Sequence, residues 1–431
     1  MRKFFTFLVI FLISFNFIGC SSSQKNNGPE VTIWHWMSDR HDAFMQLAQK
    51  YQQEKQVNIH FELFPHSAYT QKINAAEAAN DLPDLFGILG EKRVLASFAK
   101  EKRIEDLTPY MEEQNSRWKK RFIDICLEFN YFEKNNIYNI DSGIYGAPLD
   151  AMSIQFLYNK KLLKEEGLDP DAPPETFTDF LNIAKLAKDK KNIYGLASGW
   201  GETWLIYCLT TNYAFDIMGQ EKFFDTIKGE VSYTDPDWIK VFSLFKELQE
   251  SGVLAPGITT MNNKEAEQIF ATNRSFFTFN GSWGVNTYQQ VNPELEYATM
   301  PPPKANQDHA PGIWAGAGAS FVVNAESETK KEAIEFLKWL TEKEQQIFLI
   351  KETNNLPSIK GLKEDIPANM SYFLNNQQYF THPRLWPENE NSRVVEAINR
   401  GIQNIIIGEK TPEKIAAEVA KTKKQYSQDN E

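Results

Sequence analysis

Apolar and polar positions change period repeatedly along the chain. Val31-Thr32-Ile33-Trp34 is short and β-branched, which predicts a strand. Asp42 to Glu54 then spaces Phe44, Leu47, Ala48 and Tyr51 as one face of a helix. Val57 to Leu63 alternates like a second strand, Tyr69 to Asn80 is Ala-rich and helical, and Leu82 to Ile88 is an apolar strand opened by Pro83-Asp84. This β-α-β-α-β order predicts a mostly parallel sheet with helices on both faces. The alternation restarts downstream. Ile154 to Tyr158 reads as a strand, and Phe177 to Lys188 as a helix capped by Thr176 after Pro173-Pro174. Trp238 to Ser251 reads as an amphipathic helix stopped by Gly252. Phe276 to Phe279 and Ala319 to Val323 read as strands, and Lys330 to Leu340 and Pro412 to Tyr426 as helices. Two α/β units within 431 residues predict two lobes.

The N-terminus has a different pattern. Arg2-Lys3 precede an almost wholly apolar run, Phe4 to Ile18, followed by Gly19-Cys20. The run is short for a spanning helix and has the build of a signal peptide, assigned to residues 1–19. Phe17-Ile18-Gly19-Cys20 resembles a bacterial lipobox, with Cys20 as the lipidated residue. Residues 20–29 are small and polar and read as a flexible tether. No later segment is long and apolar enough to cross a bilayer. The expectation is an exported body anchored through lipidated Cys20 at the outer face of the membrane. In that oxidising setting, Cys126 and Cys208 allow either one disulfide or two separate buried thiols.

Composition narrows the classes of function. A chain with 42% hydrophobic and 24% charged residues is globular rather than disordered. A net charge of −11 argues against a nucleic-acid partner. The sequence has no GxSxG elbow, P-loop, GxGxxG, HExxH or CxxC, and its His residues are dispersed. No catalytic residue, cofactor or metal site is therefore expected, and the chain reads as a non-enzyme. The many acids leave a glycosidase-type carboxylate pair open.

The positive signal is Trp combined with acid or amide near the ends of the predicted strands. Trp36 stands with Ser38 and Asp39; Glu91 follows the third strand; Asp150 precedes Ile154. Trp200, Glu202 and Trp204 form one group, Trp283 follows Asn280-Gly281-Ser282, Trp314 follows Ile313, and Trp386 lies in a Pro-flanked loop. In open α/β sheets, ligands bind beyond the carboxyl ends of the strands. An indole offers a rigid apolar plate to the C–H face of a pyranose, and carboxylates accept hydrogen bonds from its hydroxyls. These residue types suit a carbohydrate. Trp34, Trp118, Trp238 and Trp339 lie within regular elements and are assigned to packing.

One ordered series of motifs adds to this. Its most specific member is Tyr158-Asn159-Lys160-Lys161-Leu162-Leu163, continued by Gly167-Leu168 and Pro173-Pro174-Glu175-Thr176-Phe177. Pro83-Asp84, Asn280-Gly281-Ser282-Trp283 and Pro357-Ser358 complete it. Together, along essentially the whole mature chain, they resemble the family 1 extracellular solute-binding proteins of bacteria, the maltose-binding type that feeds ABC importers. The resemblance implies an α/β, two-lobe periplasmic-binding-protein fold of type II. Each lobe would be a mostly parallel sheet flanked by helices, with the ligand cleft between them and a hinge of two or three crossing strands. Residues 30–150 plus 299–342 would form lobe one, and 151–298 plus 343–431 lobe two. By position, the resemblance implies that Glu91 is a first-lobe acid, that Trp283 stacks on the sugar, and that Trp36 and Ser38 lie in a contact loop. Met152 stands near a position where the maltose binder has an acid, with Asp150 beside it, so maltose itself is not implied. The implied partners are a di- or oligosaccharide and a membrane ABC permease, and a monomer is expected. Two alternatives stay open: a same-fold binder of a glycerol phosphate ester or ferric complex, and a secreted glycan-active enzyme.

Overall fold

The computed structural model describes residues 28–88, 92–136, 138–306, 308–374, 380–381 and 390–427. The expected signal peptide, Cys20, Glu91 and Trp386 lie outside the described residues. Fourteen strands form among those described: β1 (Glu30–His35), β2 (Asn58–Leu63), β3 (Leu85–Ile88), β4 (Tyr131–Phe132), β5 (Gly143–Ile144), β6 (Ala147–Pro148), β7 (Asp150–Asn159), β8 (Tyr194–Ala197), β9 (Ser275–Gly281), β10 (Tyr297–Met300), β11 (Ile313–Ala317), β12 (Ser320–Val323), β13 (Leu356–Pro357) and β14 (Phe380–Thr381).

The first sheet has the order β2-β1-β3-β12-β6. β1 pairs parallel with β2 and β3, and β12 pairs antiparallel with β3 and β6. The helix His41–Lys55 buries Phe44, Leu47, Ala48 and Tyr51, the four positions its period picks out. They pack with Ile33 and Phe61 in one core, where Phe44 and Phe61 stack 4.9 Å apart. Each such large apolar side chain contributes roughly 1.5–3 kcal/mol on burial. The other face of the sheet packs Trp34, Tyr69, Phe86 and Phe98 in a separate core.

The second sheet has the order β14-β11-β7-β9-β8, with β10 and β13 also on β7. β7 is antiparallel to β9, β10, β11 and β13, and the parallel pairs are β8–β9 and β11–β14. This sheet is therefore mixed rather than mostly parallel. β7 enters it directly from the first lobe and so runs against β9 instead of joining it through a helical crossover. The helix Trp204–Lys228 fills the core of this lobe. At 25 residues it is the longest described helix, yet no period announces it, because buried positions run nearly all round it. It kinks at Gly219, where φ is +75° and a Cβ would press on the ring of His309.

Close to Asp150 the chain passes between the lobes at three points, Leu149, Gly318–Ala319 and Asn354–Asn355; beyond β13 it returns to the first lobe at Ile359 and Leu362 before Met370 and Phe373 pack beside Leu157 of β7. These passages correct the expected boundaries. The helix Lys343–Thr353 buries Leu349 and Ile350 in the first-lobe core, where Ile359 and Leu362 also pack, although residues from 343 onward are expected in lobe two. β11 and Met300 belong with the second lobe, although 299–342 is expected in lobe one. Which core each apolar face meets decides its lobe. Cys126 and Cys208 are unpaired and lie in different cores, so the two-thiol alternative holds; burial pushes both thiols up.

Candidate functional site

The loop after β1 carries Trp36, Ser38, Asp39 and Arg40 at the carboxyl edge of the first sheet. Trp36 is half-buried. Its indole lies over Gly87 of β3, where a Cβ would collide with it, and against Tyr69 with ring centroids 5.0 Å apart. Ser38 is exposed, and its N–H donates to the Trp36 carbonyl at 2.9 Å. A histidine pair closes the base of this loop. The Met37 N–H donates to Nδ1 of buried His35 at 3.2 Å, so the proton sits on Nε2, which is 3.1 Å from His41 Nδ1. Burial, then the neighbouring His41 and Arg40, lower the His35 pKa from 6.5 to about 3. The ring is thus neutral at physiological pH.

The carboxyl edge of the second sheet carries another group. Trp204 begins the long helix after β8 and is 37% exposed. Trp283 caps the helix Gly284–Val291 after β9 and is half-buried. The two indoles meet with centroids 5.5 Å apart and planes at 57°. Trp283 lies over Gly281, which leaves it room because a Cβ there would strike the ring. Glu202 accepts from the Asn263 N–H at 2.9 Å, from Asn263 Nδ2 at 3.1 Å and from Trp204 Nε1 at 3.3 Å. Glu202, Trp204 and Trp283 thus form one cluster, whereas Trp36, Ser38 and Asp39 form another on the first lobe.

Three other expected contacts are placed elsewhere. Trp200 is 0% exposed and packs edge-on against Phe245 in the second-lobe core, so it has no face to offer a ligand. Trp314 is 7% exposed on β11, opposite Ile154 of β7, and also belongs to that core. Asp150 is buried where the three passages between lobes converge. Its carboxylate accepts from the Ala319 N–H at 2.6 Å and pairs with Arg40 Nη2 at 2.7 Å, while its carbonyl accepts from Gly318 N–H. Arg40 Nη2 also donates to Asn355 Oδ1 at 2.8 Å, and Arg40 Nε lies 3.3 Å from Asp39. The cavity beside this hub measures about 10 Å³, too small for a sugar ring. Burial raises the Asp150 carboxyl and Arg40 opposes that shift; for Arg40, Asp150 and Asp39 outweigh burial and raise its pKa. The Asp150 carboxylate therefore serves the hinge, not a sugar. Sequence reasoning missed Arg40 and Asn355 in this role, because their partners lie in distant segments and no motif joins them.

The lobes also touch directly. Arg93, on a helix of the first lobe, donates to the Glu390 carbonyl at 2.6 Å, and the buried Glu390 carboxylate accepts from Tyr233 and Lys423 of the second. Among the described residues, no group of three or more His, Cys, Asp or Glu is arranged to hold a metal, and no helix is long and apolar enough to cross a membrane.

Two lobes joined by repeated passages of the chain, with aromatic loops at the strand ends, are the build of a solute-binding protein. The family model for bacterial extracellular solute-binding proteins matches residues 46–372. The chain belongs to this family, as its motif series implies, and is accordingly an exported protein. The melibiose/raffinose/stachyose-binding protein MelE of Bacillus subtilis (strain 168) is 24% identical over 394 residues, which are 86% of this chain and 83% of that protein. An ABC transporter solute-binding protein from Thermotoga lettingae TMO, solved with alpha-D-tagatose, matches with a TM-score of 0.77 at 18% identity, covering 92% of this chain and 99% of that one. A sugar transporter protein from Bacillus licheniformis, solved with stachyose, matches with a TM-score of 0.69 at 18% identity over 92% and 99%. These structures share the α/β two-lobe fold expected from the motifs. The relatives are named as binding proteins, not enzymes.

Proposed function

We propose that this protein captures a di- or oligosaccharide between its lobes and delivers it to the permease of an ABC importer. The observation that carries this reading is the pair of indoles, Trp204 and Trp283, at the carboxyl edge of the second sheet. Two accessible aromatic plates suit the C–H faces of pyranose rings far better than a phosphate or a ferric ion. The names of the sugar-binding relatives point the same way. Trp204 and Trp283 stack on the sugar; Trp36, Ser38 and Asp39 contact it from the first lobe. Glu91 and Trp386 join them on the strength of the sequence alone. A ligand touching both lobes favours the closed arrangement by its differential affinity for it. The protein works as a monomer, tethered through lipidated Cys20.

A thermal-melt screen of the protein against oligosaccharides tests the proposal. A ligand that binds only the folded state adds about 2.7 kcal/mol at a hundredfold excess over Kd. A clear shift with one sugar class supports the reading and names the class. A shift with glycerol phosphate esters or ferric complexes alone, or release of new reducing ends from a glycan, overturns it.

A further inference from the structure

The two indoles come from different segments, and each is tied by a carboxylate to the same third element, the helix Asn263–Ala271. Glu202 makes the first tie. It accepts from Trp204 Nε1 on one side and, on the other, from both the backbone and side-chain N–H groups of Asn263, the first residue of that helix. Glu267, on the same helix and 0% exposed, makes the second. One of its oxygens accepts from Asn280 Nδ2 at 3.1 Å, the other from the Thr287 hydroxyl at 2.6 Å and Lys264 Nζ at 2.9 Å. Asn280 lies at the end of β9, and Thr287 one turn into the helix that Trp283 caps, so Glu267 grips both sides of the turn carrying Trp283. Asn280 Nδ2 also donates to the Tyr288 hydroxyl at 3.1 Å, further tightening the turn.

We propose that Glu202 and Glu267 are positioning residues that lock Trp204 and Trp283 into one rigid two-plate corner before ligand arrives. The physical need is entropic. An exposed indole at the start of a helix has rotamer freedom that it must give up when a sugar stacks on it. Setting the ring angle in advance removes that cost from binding. Neither carboxylate needs to touch the ligand. This rests on the carbohydrate reading, which it refines by assigning Glu202 to the wall behind the plates.

Indoles this close couple their transitions and give a paired positive and negative circular-dichroism band, readable without ligand. In the intact protein, Trp204→Phe and Trp283→Phe should each abolish that band, which identifies its source. Glu202→Ala should then cut the band by half or more and weaken oligosaccharide binding fivefold to tenfold. Glu202→Gln, which keeps one acceptor oxygen, should recover part of both. Glu267→Gln should reduce the band similarly and serves as the second variant if Glu202→Ala does not fold. A parent without the band, or Glu202 and Glu267 variants with parental band and affinity, overturns the proposal. If the band responds as described but the parent binds no saccharide, the carbohydrate reading fails and the corner stands.

Discussion

Single side chains in this protein act through the neighbours packed around them. Trp283 offers one face to the site because Gly281 has no Cβ to push it aside. Its removal as Trp283→Ala should weaken sugar binding about tenfold, the equivalent of roughly 1.4 kcal/mol, as measured by titration calorimetry. An unchanged affinity would place the sugar elsewhere. His35 gives a pH dependence whose sign follows from its environment. Its folded pKa, about 3, lies below the ordinary 6.5, so the unfolded chain takes up its proton first as the solution is acidified. The stabilising effect of keeping it neutral is complete above pH 6.5 and is lost as pH falls towards 3, at about 1.4 kcal/mol per pH unit within that window. Urea unfolding of His35→Gln across pH 4 to 7 should show a shallower slope than the parent. Parallel slopes would mean that His35 contributes nothing to the acid sensitivity.

At the scale of elements, local chemistry sets where helices begin, and one beginning matters for the site. The helix Asn263–Ala271 starts with a capping box in which Asn262 accepts from the Glu265 N–H and Glu265 returns a bond to the Asn262 N–H. Asn262→Ala should cost about 1 kcal/mol in denaturant unfolding. Because that helix carries Asn263 and Glu267, hydrogen exchange should also speed up in the turn around Trp283. Exchange confined to the first turn of the helix would show that the cap and the site are independent. The same kind of signal made Thr176 legible as a cap, since its hydroxyl accepts from the Asp179 N–H at 3.1 Å, and made Gly252 legible as a helix stop, with φ of +66°. The helix Trp204–Lys228 was illegible for the opposite reason: buried on nearly all sides, it shows no polar face.

At the scale of the whole molecule, Arg40 joins the passages between lobes. It bonds Asp150 at the start of β7 and Asn355 just before β13, while Asp150 also accepts from Ala319, just before β12. Removing one partner of a buried charge pair leaves the other uncompensated, which typically costs about 3–5 kcal/mol. Arg40→Ala should therefore lower the guanidinium midpoint clearly, and Asp150→Asn should lower it less, because its one amide oxygen keeps one of the two bonds and Asp39 still lies beside Arg40. If Arg40→Ala unfolds like the parent, the hub does not hold the passages together.

The sequence by itself determined the period of most elements, their caps, the order of family motifs and the choice of aromatic and polar residues for the strand ends. Period and caps follow from backbone geometry within a few residues, and motif order and residue type are read along the chain, so none of them requires the fold. The tertiary structure alone decided which of those residues stay accessible and which are buried. Trp200 and Trp204 are four positions apart in similar company, yet one is sealed in the core and the other is 37% exposed. Asp150 reads as a site acid until Arg40, more than a hundred residues earlier, is seen to occupy it. The helix Lys343–Thr353 joins the first lobe because Leu349 and Ile350 find their core there. Burial and pairing depend on contacts between distant segments, and local pattern contains no record of those contacts.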